Sequence, residues 1–102
     1  DIREYCQYGQ LDVIQEKYSI VTRKVEKELL PVCKELGVSI QAYSPLEQGL
    51  LTGKFTMDTT FPNGDVRNNN PSFQPETRKK VLDNLEDWKK YLEKYECSTA
   101  IW

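Results

Sequence analysis

Apolar positions repeat with two different periods along this chain, and the change from one to the other outlines its elements. Val38, Ile40 and Ala42 alternate with Ser39, Gln41 and Tyr43, the period that a strand presents. The run breaks at Pro45, which cannot donate to a sheet ladder. An earlier stretch behaves alike, with Leu11, Val13 and Gln15 on one face and Asp12 and Ile14 on the other, as in a strand with both faces in use. Between the two, Val25, Leu29, Val32 or Cys33, and Leu36 recur about every 3.6 residues and predict one amphipathic helix from Lys24 to Leu36. Pro31 inside it either removes a hydrogen bond and bends the axis, or marks the first turn of a restarted helix. Gly37 closes it. Strand, helix and strand with short joints form a right-handed parallel unit.

The flanks read differently. Asp1 to Tyr8 is the end of a helix, with Ile2 and Tyr5 or Cys6 on one side, closed by Gly9 in the left-handed conformation. Thr56 to Gln74 is rich in Asp, Asn, Gly, Pro and Thr and has no periodicity. It predicts an irregular excursion longer than most loops, hence functional or disordered. Pro75 and Glu76 then open a long helix whose stripe is Val81, Leu82, Leu85, Trp88, Leu92 and Tyr95. After Cys97, the run from Ser98 to Trp102 reads as the start of a further helix. The pattern divides the chain into a strand-helix-strand unit and its loop over 1–55, an irregular loop over 56–74 and helix over 75–102, and the length is in the range of one domain.

Charge and composition narrow the function classes. With 14 Lys plus Arg against 16 Asp plus Glu the net charge is −2, and no basic stripe suggests nucleic acid. No apolar run approaches the roughly 18–20 residues of a membrane span, and no signal-peptide pattern opens the chain. The three cysteines, Cys6, Cys33 and Cys97, form no Cys-x-x-Cys pair and fit idle thiols in a reducing cytoplasm better than a disulfide framework. Without histidine, a metal site would need thiols and carboxylates gathered from distant segments, so none is expected.

The chemistry concentrates in Ala42-Tyr-Ser-Pro-Leu-Glu-Gln-Gly-Leu-Leu-Thr-Gly-Lys-Phe55, directly after the second strand. A flat aromatic stacks on a planar ring, glycines let backbone N–H groups approach phosphate oxygens, and a lysine supplies a point charge for them. This spacing resembles the seventh strand and following loop of the aldo-keto reductases, NADPH-dependent carbonyl reductases built on a TIM barrel. The resemblance extends upstream through Gly9-Gln-Leu-Asp-Val-Ile-Gln-Glu-Lys-Tyr-Ser19, Arg23, Val25-Glu26, Glu28-Leu-Leu-Pro31 and Cys33. Downstream it includes Arg67, Asn70-Pro71, Phe73 and Cys97-Ser-Thr-Ala100.

The resemblance implies a partial TIM barrel, about strands six and seven, with the first five strands and the eighth outside these 102 residues. A TIM barrel usually needs about 250 residues, and the opening at Asp1 without methionine suggests a trimmed product. Parallel strands with open edges invite pairing, so a homo-oligomer, or a helical form with the strand segments rebuilt, is expected.

By resemblance the cofactor is NADP(H). Gln15 would bond the nicotinamide carboxamide and Tyr43 would stack on the ring. Ser44, Pro45, Leu46, Gln48 and Gly49 would cradle the pyrophosphate, Lys54 would answer its charge, and Arg67 would contact the adenosine 2′-phosphate. Each has a plainer alternative. Gln15 could be a strand-end amide in water, Tyr43 a core or oligomer-seam aromatic, the loop an ordinary turn with a solvated lysine. Glu47 stands where a small residue is common, and its carboxylate would weaken phosphate binding unless it pointed to solvent. Arg23 and Glu26 could pair with each other or with a substrate carboxylate. The Lys79, Lys80, Lys89, Lys90 and Lys94 set, interleaved with acids, is a solvated helix face.

The family reduces aldehydes and ketones, using a tyrosine proton donor tuned by a lysine, an aspartate and a histidine, all on earlier strands. None has a match here, and Tyr5, Tyr8, Tyr18, Tyr91 and Tyr95 have no Lys-Asp arrangement beside them. No catalytic residue is therefore assigned. The expected activity is part of a cofactor cleft, silent alone, with a small carbonyl substrate in the parent enzyme. The competing expectation is a non-catalytic interaction or scaffold module derived from such a reductase.

Overall fold

Strands β1 (Val13–Lys17) and β2 (Ser39–Tyr43) lie parallel, in register from Val13 opposite Ser39 to Lys17 opposite Tyr43. Period-two geometry therefore puts Ile14, Glu16, Ile40 and Ala42 on one face, and Val13, Gln15, Lys17, Gln41 and Tyr43 on the other. The computed structural model describes residues 1–101. They fall into two compact units, Asp1–Pro45 and Leu46–Trp102, each of which has its own core.

In the first unit, helix α1 (Ile2–Tyr5) is capped by the Asp1 carboxylate, which accepts from the Arg3 N–H at 2.9 Å. It is shorter than the pattern predicts, and Gly9 is not among the residues with positive φ. The Cys6 N–H ends the helix on carbonyls within its own turn, so no left-handed residue is needed. The helix expected from Lys24 to Leu36 is likewise divided, into a 3₁₀ turn at Lys24–Glu26 and helix α2 (Leu29–Leu36). Pro31 explains the break: a helix continuing back through Lys27 would set the proline ring against the Lys27 carbonyl. Starting at Leu29 puts Pro31 in the first turn, where its missing N–H has no helical partner to lose. Gly37 ends α2 at φ 69°, the conformation that favours glycine. Val25, Cys33 and Val38 form the buried centre, and burial pushes the Cys33 thiol above its ordinary pKa.

In the second unit, 3₁₀ turns at Glu47–Thr52, Val66–Asn69 and Pro71–Phe73 precede helix α3 (Pro75–Lys94), with Pro75 at its start as expected. Val81 and Leu85 are buried with Leu50, Leu51 and Phe73, while Leu82, Trp88 and Leu92 are half-buried. Tyr95 departs from the predicted stripe. It is the residue after the last helical turn and is 56% exposed. The opposite face of α3 is solvated, with Lys79–Asp83, Lys80–Glu76 and Lys89–Glu86 pairs one turn apart. Beyond Cys97 the chain makes a turn closed by the Ile101 N–H on the Ser98 carbonyl at 3.0 Å. The helix expected there runs to Trp102, which lies outside the described residues.

The excursion from Thr56 to Gln74 is ordered without periodicity. Asp65 and Asn70 cap the two 3₁₀ turns, each accepting at 2.9 Å from the N–H two residues on. Phe55, Phe61 and Phe73 meet edge to face at 5.2–5.8 Å. Arg78 reaches back from α3 to donate to the Phe73 carbonyl at 3.0 Å and the Thr59 carbonyl at 2.8 Å.

Among the described residues no helix is long and apolar enough to cross a membrane. Nor does any cluster of three His, Cys, Asp or Glu side chains there offer a metal site. The cysteines are free.

Candidate functional site

The C-terminal ends of β1 and β2 carry the first group of polar side chains. Gln15 lies directly opposite Gln41, and its amide nitrogen donates to the Gln41 amide oxygen at 3.0 Å, which orients the Gln15 carboxamide across the two strands. Tyr43 ends β2 on the same face, with 51% of its surface exposed. Its carbonyl accepts from the Tyr18 N–H at 3.3 Å, so β1 and β2 stay joined one step past the ladder. A crevice of about 440 Å³ opens here, lined by Tyr18, Ser19, Ile20, Arg23, Glu26, Ala42 and Pro45. The strand C-termini are where α/β barrels place their chemistry.

Arg23 and Glu26 pair with each other, Nε to Oε1 at 2.8 Å and Nη2 to Oε2 at 2.9 Å, and the Tyr18 hydroxyl donates to Glu26 at 2.8 Å. The guanidinium holds the Glu26 carboxyl below its usual range, and the carboxylate in turn raises the Tyr18 pKa. Tyr18 is thereby a weaker acid than an ordinary tyrosine.

The loop after β2 is the most strained backbone of the chain. Ser44, Glu47 and Gln48 have φ of 52°, 50° and 54°, Gly49 has φ 96° and Gly53 φ 78°. Non-glycine residues in this region cost of order 1–3 kcal/mol each and cluster at ligand-gripping sites. Local bonds hold the shape. The Gly49 and Leu51 N–H groups both donate to the Leu46 carbonyl at 3.1 and 3.2 Å, the Thr52 hydroxyl to the Gly49 carbonyl at 2.6 Å, and the Asn70 amide to the Gln48 side chain at 2.8 Å. At Gly49 a Cβ would stand 3.0 Å from the Phe55 ring, which would have to shift by a few tenths of an ångström, so both space and φ favour glycine.

Glu47 departs from expectation. It points neither toward a phosphate nor to solvent but is fully buried, accepting from the Ser72 hydroxyl at 3.2 Å. Leu46 is exposed, and so is Lys54, whose ammonium makes no ion pair among the described residues.

Arg67 is positioned by Asp65. Its Nε and Nη2 donate to Oδ1 and Oδ2 at 2.9 and 2.6 Å, and its guanidinium lies 4.3 Å from the Phe61 ring centre. This pairing holds the Asp65 carboxyl at about 2.

The sequence residues thus fall in two sets, Gln15, Tyr43, Ser44 and Pro45 in the first unit, and Leu46, Gln48, Gly49, Lys54 and Arg67 in the second. Gln41, Asp65 and Arg78 were not singled out from sequence, and Asn70 only as part of the family resemblance. Asp65-x-Arg67 and Asn70-x-Ser72 carry a readable signal, an Asp or Asn two residues before the N–H it caps. Gln41 and Arg78 carry none before the register and helix phase are set. Within the first unit a half-exposed ring and an oriented amide suit a planar carboxamide, and within the second a left-handed turn and an ammonium without an ion pair among the described residues suit phosphate.

A parallel strand-helix-strand unit with its polar groups at the strand C-termini is a segment of a TIM-type α/β barrel. The chain belongs to the aldo/keto reductase family, whose profile matches residues 4–102. It is 53% identical to the NADH-specific methylglyoxal reductase of Escherichia coli (strain K12) over 97 residues, covering 95% of this chain and 29% of that protein. Against the aldo-keto reductase YhdN of Bacillus subtilis (strain 168) the identity is 39%, over 71% of this chain and 22% of the relative. The structure of the glycerol dehydrogenase AKR11B4 from Gluconobacter oxydans superposes with a TM-score of 0.86 at 35% identity, covering 96% of this chain and 30% of that one. The chain therefore spans under a third of the length of these relatives.

Proposed function

We propose that this chain supplies the nicotinamide- and pyrophosphate-holding part of an NAD(P)H-dependent carbonyl reductase, and that it does not turn over substrate by itself. The observation that carries the reading is the set of four left-handed residues, Ser44, Glu47, Gln48 and Gly49, that follows the half-exposed Tyr43. Strain of this kind persists where a backbone is shaped for a ligand.

In this reading Tyr43 lies flat against the nicotinamide ring, and Gln15, already oriented by Gln41, bonds the carboxamide. Ser44, Pro45, Leu46, Gln48 and Gly49 shape the bend against the pyrophosphate, Lys54 balances its charge, and Arg67 lies at the adenosine end. The dinucleotide, when bound, supplies hydride to an aldehyde or ketone carbon. Proton donation to the oxygen is assigned to no residue here, because Tyr18 is held as a weak acid by Glu26 and the sequence has no histidine to complete a tyrosine, lysine, aspartate and histidine set. The resemblance indicates NADP(H), while the Escherichia coli relative is named for NADH. A small carbonyl compound is the substrate class of the whole enzyme, acting in a reducing cytoplasm.

A second reading has its own support. The described sheet has two strands, each with one unpaired edge, and Val13 is 50% exposed, which favours a homo-oligomer or an interaction module that borrows neighbouring strands. Titrating the chain with NADH and NADPH, followed by the amide resonances of 43–54 and by sedimentation, separates the readings. Micromolar binding that Lys54→Ala weakens supports the cofactor segment. No binding at millimolar nucleotide, with a stable oligomer, overturns it in favour of the module, and aldehyde-dependent NADH or NADPH oxidation by the pure chain overturns the silence.

A further inference from the structure

The five asparagines, Asn63, Asn68, Asn69, Asn70 and Asn84, differ in how far each is restrained. Asn63 precedes Gly64 in an exposed turn closed by the Asp65 N–H on the Pro62 carbonyl at 3.1 Å. Gly64 has φ 87° and Asn63 is not among the residues with positive φ, which makes this a type II turn. A Cβ at Gly64 would have nothing within 4 Å. Among the described residues, neither the Asn63 carboxamide nor the Gly64 N–H has a hydrogen-bond partner. The other four are held. The Asn68 amide donates to the Pro62 carbonyl at 2.9 Å. Asn69 is followed by the Asn70 N–H, which donates to the Arg67 carbonyl at 3.2 Å. Asn70 is followed by Pro71, which has no N–H. Asn84 lies inside α3, where the next N–H is committed to the helix.

We propose that Asn63–Gly64 is a site of spontaneous covalent modification, at which the asparagine converts to isoaspartate and aspartate, and that this conversion releases the Asp65–Arg67 turn. The Gly64 nitrogen attacks Cγ of Asn63. A bond forms between them, the bond from Cγ to the side-chain nitrogen breaks, and that nitrogen leaves as ammonia with the proton from the backbone amide. Water then opens the cyclic imide at either carbonyl. Opening at the backbone carbonyl routes the main chain through Cβ and Cγ as isoaspartate, and opening at Cγ gives aspartate. Nothing is oxidised or reduced. Glycine favours the attack because, without a Cβ, its peptide unit rotates and is approached easily. What resists is the one exposed bond that closes the turn. Both products put a carboxylate two residues before Asp65, and isoaspartate adds a carbon to the main chain within the turn. Asp65 caps the turn at Val66–Asn69 and grips Arg67 at 2.9 and 2.6 Å, so a longer approach takes the cap and the grip out of position. The inference stands apart from the cofactor reading.

The test incubates the full chain in mildly alkaline buffer, which favours the attacking nitrogen, and follows each asparagine by peptide mass spectrometry with isoaspartyl and aspartyl peptides separated. Asn63 is expected to convert at least about tenfold faster than Asn68, Asn69 or Asn84. Conversion of Asn68, Asn69 or Asn84 as fast as that of Asn63 overturns the site. The isoaspartyl chain is then purified, and its amide exchange over 62–70 is expected to be at least about tenfold faster than that of the unconverted chain, with 13–17 and 39–43 unchanged. Asn63→Gln cannot close the same ring, and after identical incubation it should show no such change. Equal exchange in the isoaspartyl and unconverted chains, or the same loosening in incubated Asn63→Gln, overturns the release of the turn.

Discussion

In residues 1–45 the buried apolar side chains Val25, Cys33 and Val38 occupy positions that helix or strand periodicity singles out. In Leu46–Trp102, Glu47, Leu50, Ser72 and Phe73 are buried as deeply from turns that have no period. The first unit is ordered by a repeated pattern laid against a parallel pair of strands. The second is ordered, up to α3, by individual devices: two Asx caps, three edge-to-face rings, and arginines that bridge segments far apart in sequence. A pattern tolerates the loss of one member better than a device does, and of the candidate residues Leu46, Gln48, Gly49, Lys54 and Arg67 sit where devices dominate.

The comparison is broken most forcefully at Phe73. It is 2% exposed and shared between the ring cluster and the Arg78 bridge, so Phe73→Ala should lower stability by about 3–5 kcal/mol in urea unfolding. Amide exchange should show the loss concentrated in 55–81. A loss no larger than that of Val25→Ala would mean the ring cluster is no more than surface packing.

A smaller effect sharpens the view of the first unit. Gly37→Ala places a Cβ at φ 69°, with no neighbour to strike, and should cost about 1 kcal/mol from the backbone alone. Gly9→Ala, at a φ open to any residue, should fall within about half a kcal/mol of zero. Equal costs at the two glycines would show that the end of α2 does not depend on the left-handed turn.

The smallest effect is in acid. Asp65 is held at about 2, below its ordinary 3.8, by Arg67. Because the unfolded carboxyl takes up its proton first as pH falls, this contribution is whole above about pH 4 and is lost as pH drops toward about 2. Thermal unfolding monitored at α3 should show that acid limb, and Asp65→Asn should flatten it. A limb unchanged by the substitution would assign it to other carboxylates, of which Glu26 and Glu35 are also lowered by arginine partners.

From sequence, the strand positions of Val38, Ile40 and Ala42, the end of α2 at Gly37 and the start of α3 at Pro75 were all legible, because each follows from local sterics or from a period that one face of an element must satisfy. Pro31 held both possible outcomes, and the restarted helix is the one that avoids the Lys27 carbonyl. Gly9 and Tyr95 misled, since a glycine can adopt a left-handed φ without needing to, and a stripe residue one position past the last turn no longer faces the core.

Tertiary structure alone decided what the polar residues do. That Gln15 meets Gln41 depends on strand register, that Glu47 turns inward depends on a left-handed φ no pattern announces, and that the Arg67 guanidinium is held by Asp65 depends on how the turn at Val66–Asn69 folds it back. A hydrophobic period reports where surface must be buried. The partner of a charge is set by the few ångströms between side chains after that burial is complete.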